Sequence, residues 1–174
     1  MKVFFNRFLF FTVFFLAFYA KIAAQQVYFT TGFKVSELSS DQATVWTRLC
    51  EKEKPNPVVH QRLKQVFRHP IDFDENMPIA KMDGAVLGKA GWVRIILKSG
   101  PSEISSGWLT AGPEKDFTVF YSFKVLKPNT KYEVRLEGKS TEKGLIQQAA
   151  GNFTTAPRMY DKKELSLTTS TCQY

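Results

Sequence analysis

Apolar and polar residues alternate with period two along most of the chain. Ala43, Val45, Thr47 and Leu49 share one face of the segment 43–49, with Thr44, Trp46 and Arg48 on the other. In 91–98, Val93, Ile95 and Leu97 are set against Trp92, Arg94 and Ile96. Residues 117–125 put Phe117, Val119, Tyr121, Phe123 and Val125 on one side and Thr118, Ser122 and Lys124 on the other. In 131–138, Tyr132, Val134 and Leu136 alternate with Lys131, Glu133, Arg135 and Glu137. Period-two alternation means half-buried β-strands, and no stretch of helical period competes with it.

Turn chemistry lies at the joints. Pro128 and Asn129 separate two strong strands, and proline cannot sit inside a central one. Residues 139–144 make a polar hairpin tip before a further strand over 145–155. Short antiparallel strands at this spacing predict an all-β sandwich or barrel. The rhythm breaks over residues 50–91, about forty residues between two strands. Asn56-Pro57 is expected to open a short helix carrying Val59, Leu63, Val66 and Phe67 on one stripe, ended by His69-Pro70. Residues 71–90 read as ordered loop, and so long a connection predicts a functional or packing role.

The two ends differ from this body. Lys2 and Arg7 precede thirteen uncharged residues, 8–20, and small residues follow at 23–24. This pattern predicts a signal peptide over 1–24, cleaved after Ala24, and hence export to the periplasm or the extracellular space. The apolar run is short for a bilayer of about 30 Å, so no transmembrane segment is expected after cleavage; the alternative, with Lys21 so close to the cut, is an uncleaved membrane anchor. At the other end, Ala156-Pro157 closes the last sandwich strand and 158–164 is a charged linker. Residues 165–174 then begin a new β-prone run, read as the first strand of a further, missing domain. That leaves 25–157 as one domain, long enough for a sizeable core.

The whole chain has 24 Lys plus Arg against 16 acids, a net charge of +8, of which the leader holds Lys2, Arg7 and Lys21. The remaining mild positive charge is spread along the chain and bears on solubility, with no specific site for nucleic acid. Arg62, Lys64 and Arg68 beside Phe67 read as a solvated face. His60 and His69 fit no common zinc spacing. Asp72, Asp74, Asn76 and Asp83 imitate a calcium loop, but Met77 stands where the turn needs glycine. Asn152-Phe153-Thr154 matches a glycosylation pattern inside a predicted strand. Cys50 and Cys172 are the only cysteines. They pair, or one is an inert thiol and the other reactive or metal-binding, and spacing does not decide between these.

Three sets of residues carry a resemblance. Leu126, Pro128, Thr130 and Tyr132 form an L-x-P-x-T-x-Y string that resembles the tyrosine corner of fibronectin type III and immunoglobulin-like sandwiches. The run Ser39-Ser40-Asp41-Gln42-Ala43-Thr44-Val45-Trp46-Thr47-Arg48-Leu49, after Thr31-Gly32, resembles the opening motif of the N-terminal domain in PhoD-type metallophosphatases, the alkaline phosphatase D family. Phe33 departs from that motif where an acidic residue usually stands. Thr169-Ser170-Thr171-Cys172-Gln173 resembles the family's S-C-Q strand, which opens its catalytic domain.

The resemblance implies an immunoglobulin/fibronectin type III-like β-sandwich, with 50–91 as an insert, in front of a metal-dependent phosphoester hydrolase. It implies that Cys172 ligates an active-site iron in the full-length protein, a role a soft thiolate can fill. Calcium completes the family's site with ligands from later strands. This chain alone then binds neither metal and has no phosphatase activity of its own. Its partner is the catalytic domain in cis, and its substrate, in the parent, a phosphoester. Trp46, Trp92, Trp108 or the insert is expected to supply the surface against that domain. The alternative is a stand-alone binding or adhesion module of fibronectin type III kind.

Overall fold

The computed structural model describes residues 26–59, 76–162 and 164. The expected leader, both histidines, Cys172 and the β-prone run 165–174 lie outside the described residues. Seven strands form: β1 (Phe33–Ser36), β2 (Gln42–Arg48), β3 (Gly91–Ser99), β4 (Ser102–Ala111), β5 (Thr118–Lys124), β6 (Lys131–Lys139) and β7 (Gln147–Thr154). They make two antiparallel sheets, one of three strands in the order β1-β2-β5 and one of four in the order β4-β3-β6-β7. The described residues contain no α-helix. The fold is an all-β sandwich, one of the two architectures that the alternating pattern allows.

The inward faces are those the alternation marks. Ala43, Val45 and Thr47 of β2 and Val119 and Phe123 of β5 meet Val93, Ile95 and Leu97 of β3 and Tyr132, Val134 and Leu136 of β6. Each fully buried Val, Leu or Ile contributes about 1.5–3 kcal/mol of transfer free energy, so this layer holds the sheets together. Thr47 is the one polar residue deep in the layer, and its hydroxyl donates to the Gly32 carbonyl at 2.8 Å. That bond removes the penalty of burying it.

Two strands escaped the pattern. β1 has only four residues. In β4 (SEISSGWLTA) serines and Gly107 dilute the alternation, and its register with β3 shifts between Arg94 and Ile96. The Ser106 hydroxyl takes the Ile95 N–H at this irregularity, 3.0 Å away. Gly100, at φ 56, opens the two-residue turn from β3 to β4, where a left-handed residue suits a tight hairpin.

β5 is shorter than the segment 117–125. Phe117 (φ 60) and Val125 (φ 62) flank it in the left-handed region, so neither continues the strand. Val125 points to solvent at 91 % exposure rather than joining the inward face.

The expected helix from Asn56 does not start within the described residues, which run non-helical through Val59. Asn56 is instead a tie between the two legs of the insert. Its side-chain amide donates to the carbonyls of Ala80 and Met82, and its backbone bonds Ala85 and Gly84. Asp83 accepts the Val59 N–H at 2.9 Å. These bonds satisfy the polar backbone that a helix would have satisfied internally. The remainder of the helical stripe, 60–69, lies outside the described residues.

Candidate functional site

The string from Leu126 to Tyr132 folds into the corner its residues predict. Leu126 is buried, and its N–H donates to the Asp41 carbonyl. Pro128 and Asn129 turn the chain, with Asn129 left-handed at φ 47, which asparagine tolerates. The Tyr132 hydroxyl accepts the Lys127 N–H at 2.9 Å, and its ring stacks on Phe153 at 5.6 Å. Thr155 completes the joint by donating to the Lys127 carbonyl and accepting the Thr130 N–H. Leu126, Pro128 and Tyr132 are therefore structural residues that pin the crossover from one sheet to the other.

Arg48, two residues after Trp46 on β2, makes a bidentate ion pair. Its Nε and Nη2 grip both carboxylate oxygens of Asp116 at 3.1 and 2.8 Å, and Nη1 donates to the Val86 carbonyl at 2.9 Å. The hydrogen bond from Asp116 holds the guanidinium above its ordinary, already high pKa, so it stays charged throughout. Arg48 thereby ties both the β4–β5 connection, at Asp116, and the insert, at Val86, to β2. Behind it, Gly88 lies so close to the Phe117 ring that an added Cβ would stand 1.9 Å from a ring carbon. Only glycine admits that approach.

The three tryptophans do not share a surface. Trp46 lies on the outer face of the three-stranded sheet, between Lys34 of β1 and Phe120 of β5 in register. Trp92 and Trp108 lie on the outer face of the other sheet. There Arg94 and Lys139 sit 4.8 and 4.4 Å from the Trp108 ring centre, and Arg94 pairs with the buried Glu137. Arg135 reaches Glu137 at 3.4 Å and Glu103 at 3.8 Å. A shallow depression of about 400 Å³ lies beside this ladder over Ile96, rimmed by Lys98, Glu103, Glu133 and Arg135. Both signs of charge share the rim and Arg135 already reaches Glu103, which leaves no single sign to attract a ligand.

Among the described residues no group of three or more His, Cys, Asp or Glu is placed to hold a metal ion. Cys50 is a buried free thiol whose Sγ lies 3.6 Å from the Arg48 carbonyl, while Cys172 lies outside the described residues. The described donor set therefore does not itself fit iron or calcium. Sequence reasoning missed Asp116 and Phe120, since the first follows a strand it did not identify and the second is one apolar residue on a predicted polar face.

The fold and the corner define an immunoglobulin/fibronectin type III-like β-sandwich. No family model and no curated protein matches the chain. Among solved structures it is similar to PhoD, with 20 % identity and a TM-score of 0.45 over 74 % of this chain and 19 % of that one. It is also similar to the sensor domain of the anti-sigma factor RsgI4 of Pseudobacteroides cellulosolvens, with 12 % identity and a TM-score of 0.40 over 77 % of this chain and 96 % of that domain. A fibronectin type III domain of the human KIAA0970 protein gives 12 % identity and a TM-score of 0.38 over 87 % of this chain and 88 % of that one. The chain spans about a fifth of the length of the PhoD chain, 19 %. These are likenesses of fold alone.

Proposed function

We propose that this chain is the N-terminal sandwich domain of an exported PhoD-type metallophosphatase, and that it packs on the catalytic domain and shapes one wall of its cleft. The observation that carries the reading is the order of motifs along the chain. Trp46-Thr47-Arg48 on β2 and the corner from Leu126 to Tyr132 are followed, past the last strand, by Ser170-Thr171-Cys172-Gln173. A stand-alone module accounts for the corner and does not account for the Cys-Gln run. In the parent, Cys172 is an iron ligand, and metal ions at that site would polarise the phosphoryl group and activate a water. The sandwich contributes no reacting group.

The test is to sequence the transcript beyond the codon for Tyr174 and to weigh the exported protein. We expect the frame to run on through several hundred codons rich in Asp and His, and the product to hydrolyse phosphoesters in an iron-dependent way. A stop codon there, with a mass matching residues 25–174, sinks the reading and leaves a binding module in its place.

A further inference from the structure

The loops at one end of the sandwich carry apolar side chains that the domain itself does not use. The β1–β2 turn, the β5–β6 corner and the segment after β7 meet there. They are tied by Leu126 N–H to the Asp41 carbonyl, Ala156 N–H to the Ser39 carbonyl and Asn129 N–H to the Ala156 carbonyl, at 2.8, 3.0 and 3.0 Å. Leu38, Val125, Met159 and Tyr160 project from these loops at 43, 91, 90 and 91 % exposure.

Val125 is the informative residue. At φ 62 it is left-handed, a conformation its branched Cβ resists and that glycine or asparagine adopts with little strain. Burial within the sandwich offsets none of this, because the side chain stands in solvent. The corner that draws Leu126 onto Asp41 sets this conformation, and it holds an apolar side chain out in solvent, within reach of a partner.

We propose that this end of the sandwich is the docking surface for the polypeptide that follows Glu164, with Val125 and Leu38 as apolar contacts and Met159 and Tyr160 covering the junction. The location comes from the geometry, while the identity of the occupant as the catalytic domain rests on the reading above. The chain itself argues for an occupant in cis. After β7 it runs through Ala156 to Lys162 and leaves the sandwich at this end, so whatever follows is delivered here at high effective concentration. Exposed charges of both signs stand on and beside these loops, Lys124, Lys127, Lys131 and Arg158 with Glu37, Asp41 and Asp161. The occupant's matching face should therefore be an apolar patch with a rim of both charges. The outer sheet faces are less suited. One is covered by its charge ladder, and the Trp46–Phe120 face lies on the flank rather than at the exit.

The test is hydroxyl-radical footprinting of the intact gene product, as wild type, as Val125→Asn and as Phe120→Ser. We expect Met159 and Tyr160 to be labelled several-fold more slowly than free side chains. Val125→Asn should restore their labelling without lowering the sandwich's thermal midpoint, since asparagine accepts the left-handed backbone. Phe120→Ser should change neither. Labelling of Met159 and Tyr160 at the free rate in wild type overturns the proposal, as does a fall in midpoint for Val125→Asn, which would make the side chain part of the sandwich's own stability. Hydrolysis of p-nitrophenyl phosphate separates the two ideas. Protection without hydrolysis keeps the docking surface and removes the phosphatase reading, and hydrolysis without protection does the reverse.

Discussion

The outer faces of the two sheets are built from the same alternation and end in opposite states. On the four-stranded sheet, long charged side chains lie down over the surface. Arg94, Arg135 and Lys139 pair with Glu137 and Glu103 or stack on Trp108, and beneath them Ile96 is only 3 % exposed although it points away from the core. On the three-stranded sheet, a single cation, Lys34, stands 5.8 Å from the Trp46 ring centre among the described residues, and Phe120 directly across from Trp46 is 63 % exposed. The difference is one of width and reach. Four strands give room for a second layer of arginine and lysine stems to cover apolar surface, and three strands with serine and threonine neighbours do not. Polar residues on an outward face can therefore complete a domain as well as solvate it.

Substitutions on the two sheets test how much each layer contributes. Leu97→Ala, beneath the covered face and wholly buried, should cost about 2–5 kcal/mol in chemical denaturation. A cost below about 1 kcal/mol would mean that the two sheets are loosely packed at their centre. Glu137→Gln should come next, at about 1–3 kcal/mol, because it leaves Arg94 and Arg135 without their shared carboxylate on a nearly buried site. Its loss should also raise the quenching of Trp108 fluorescence by added iodide, and an unchanged quenching constant would show that the ladder is not a cover. Tyr132→Phe removes the bond to the Lys127 N–H and keeps the ring, so the melting midpoint should fall by an amount equivalent to about 1 kcal/mol. Phe120→Ser, on the open face, should stay within about 0.5 kcal/mol of wild type. A larger loss there would show that the open face supports the sandwich after all, and would erase the contrast between the sheets.

Much of the architecture was legible before any coordinates. Val45, Val93, Ile95, Val134 and Leu136 are inward because alternation in a strand leaves them nowhere else to point. The corner was legible because Leu126, Pro128, Thr130 and Tyr132 stand at the spacing of a tyrosine corner. The pattern failed where local chemistry was weak or competing. Ser105, Ser106 and Gly107 dilute β4, and its bulge shifts the alternation by which a strand is recognised. In 56–59 the helical spacing lost to Asn56, whose amide satisfies distant carbonyls instead of starting a turn of its own.

The candidate surface was less legible. Three tryptophans look equivalent along the chain, and only pairing across strands shows that Trp108 is held between cations while Trp46 stands beside an exposed phenylalanine. Val125 reads as the last inward residue of a strand, and it is the tertiary corner, pulling Leu126 down onto Asp41, that turns it left-handed and outward. Alternation and turn residues are local quantities, so the sequence by itself determined the antiparallel strands, their inward faces and the corner. Which outward residues are covered, and which are held in solvent at a conformational cost, depends on partners tens of residues away. Only the tertiary structure decided that, because coverage and strain arise from contacts between elements and not from any one of them.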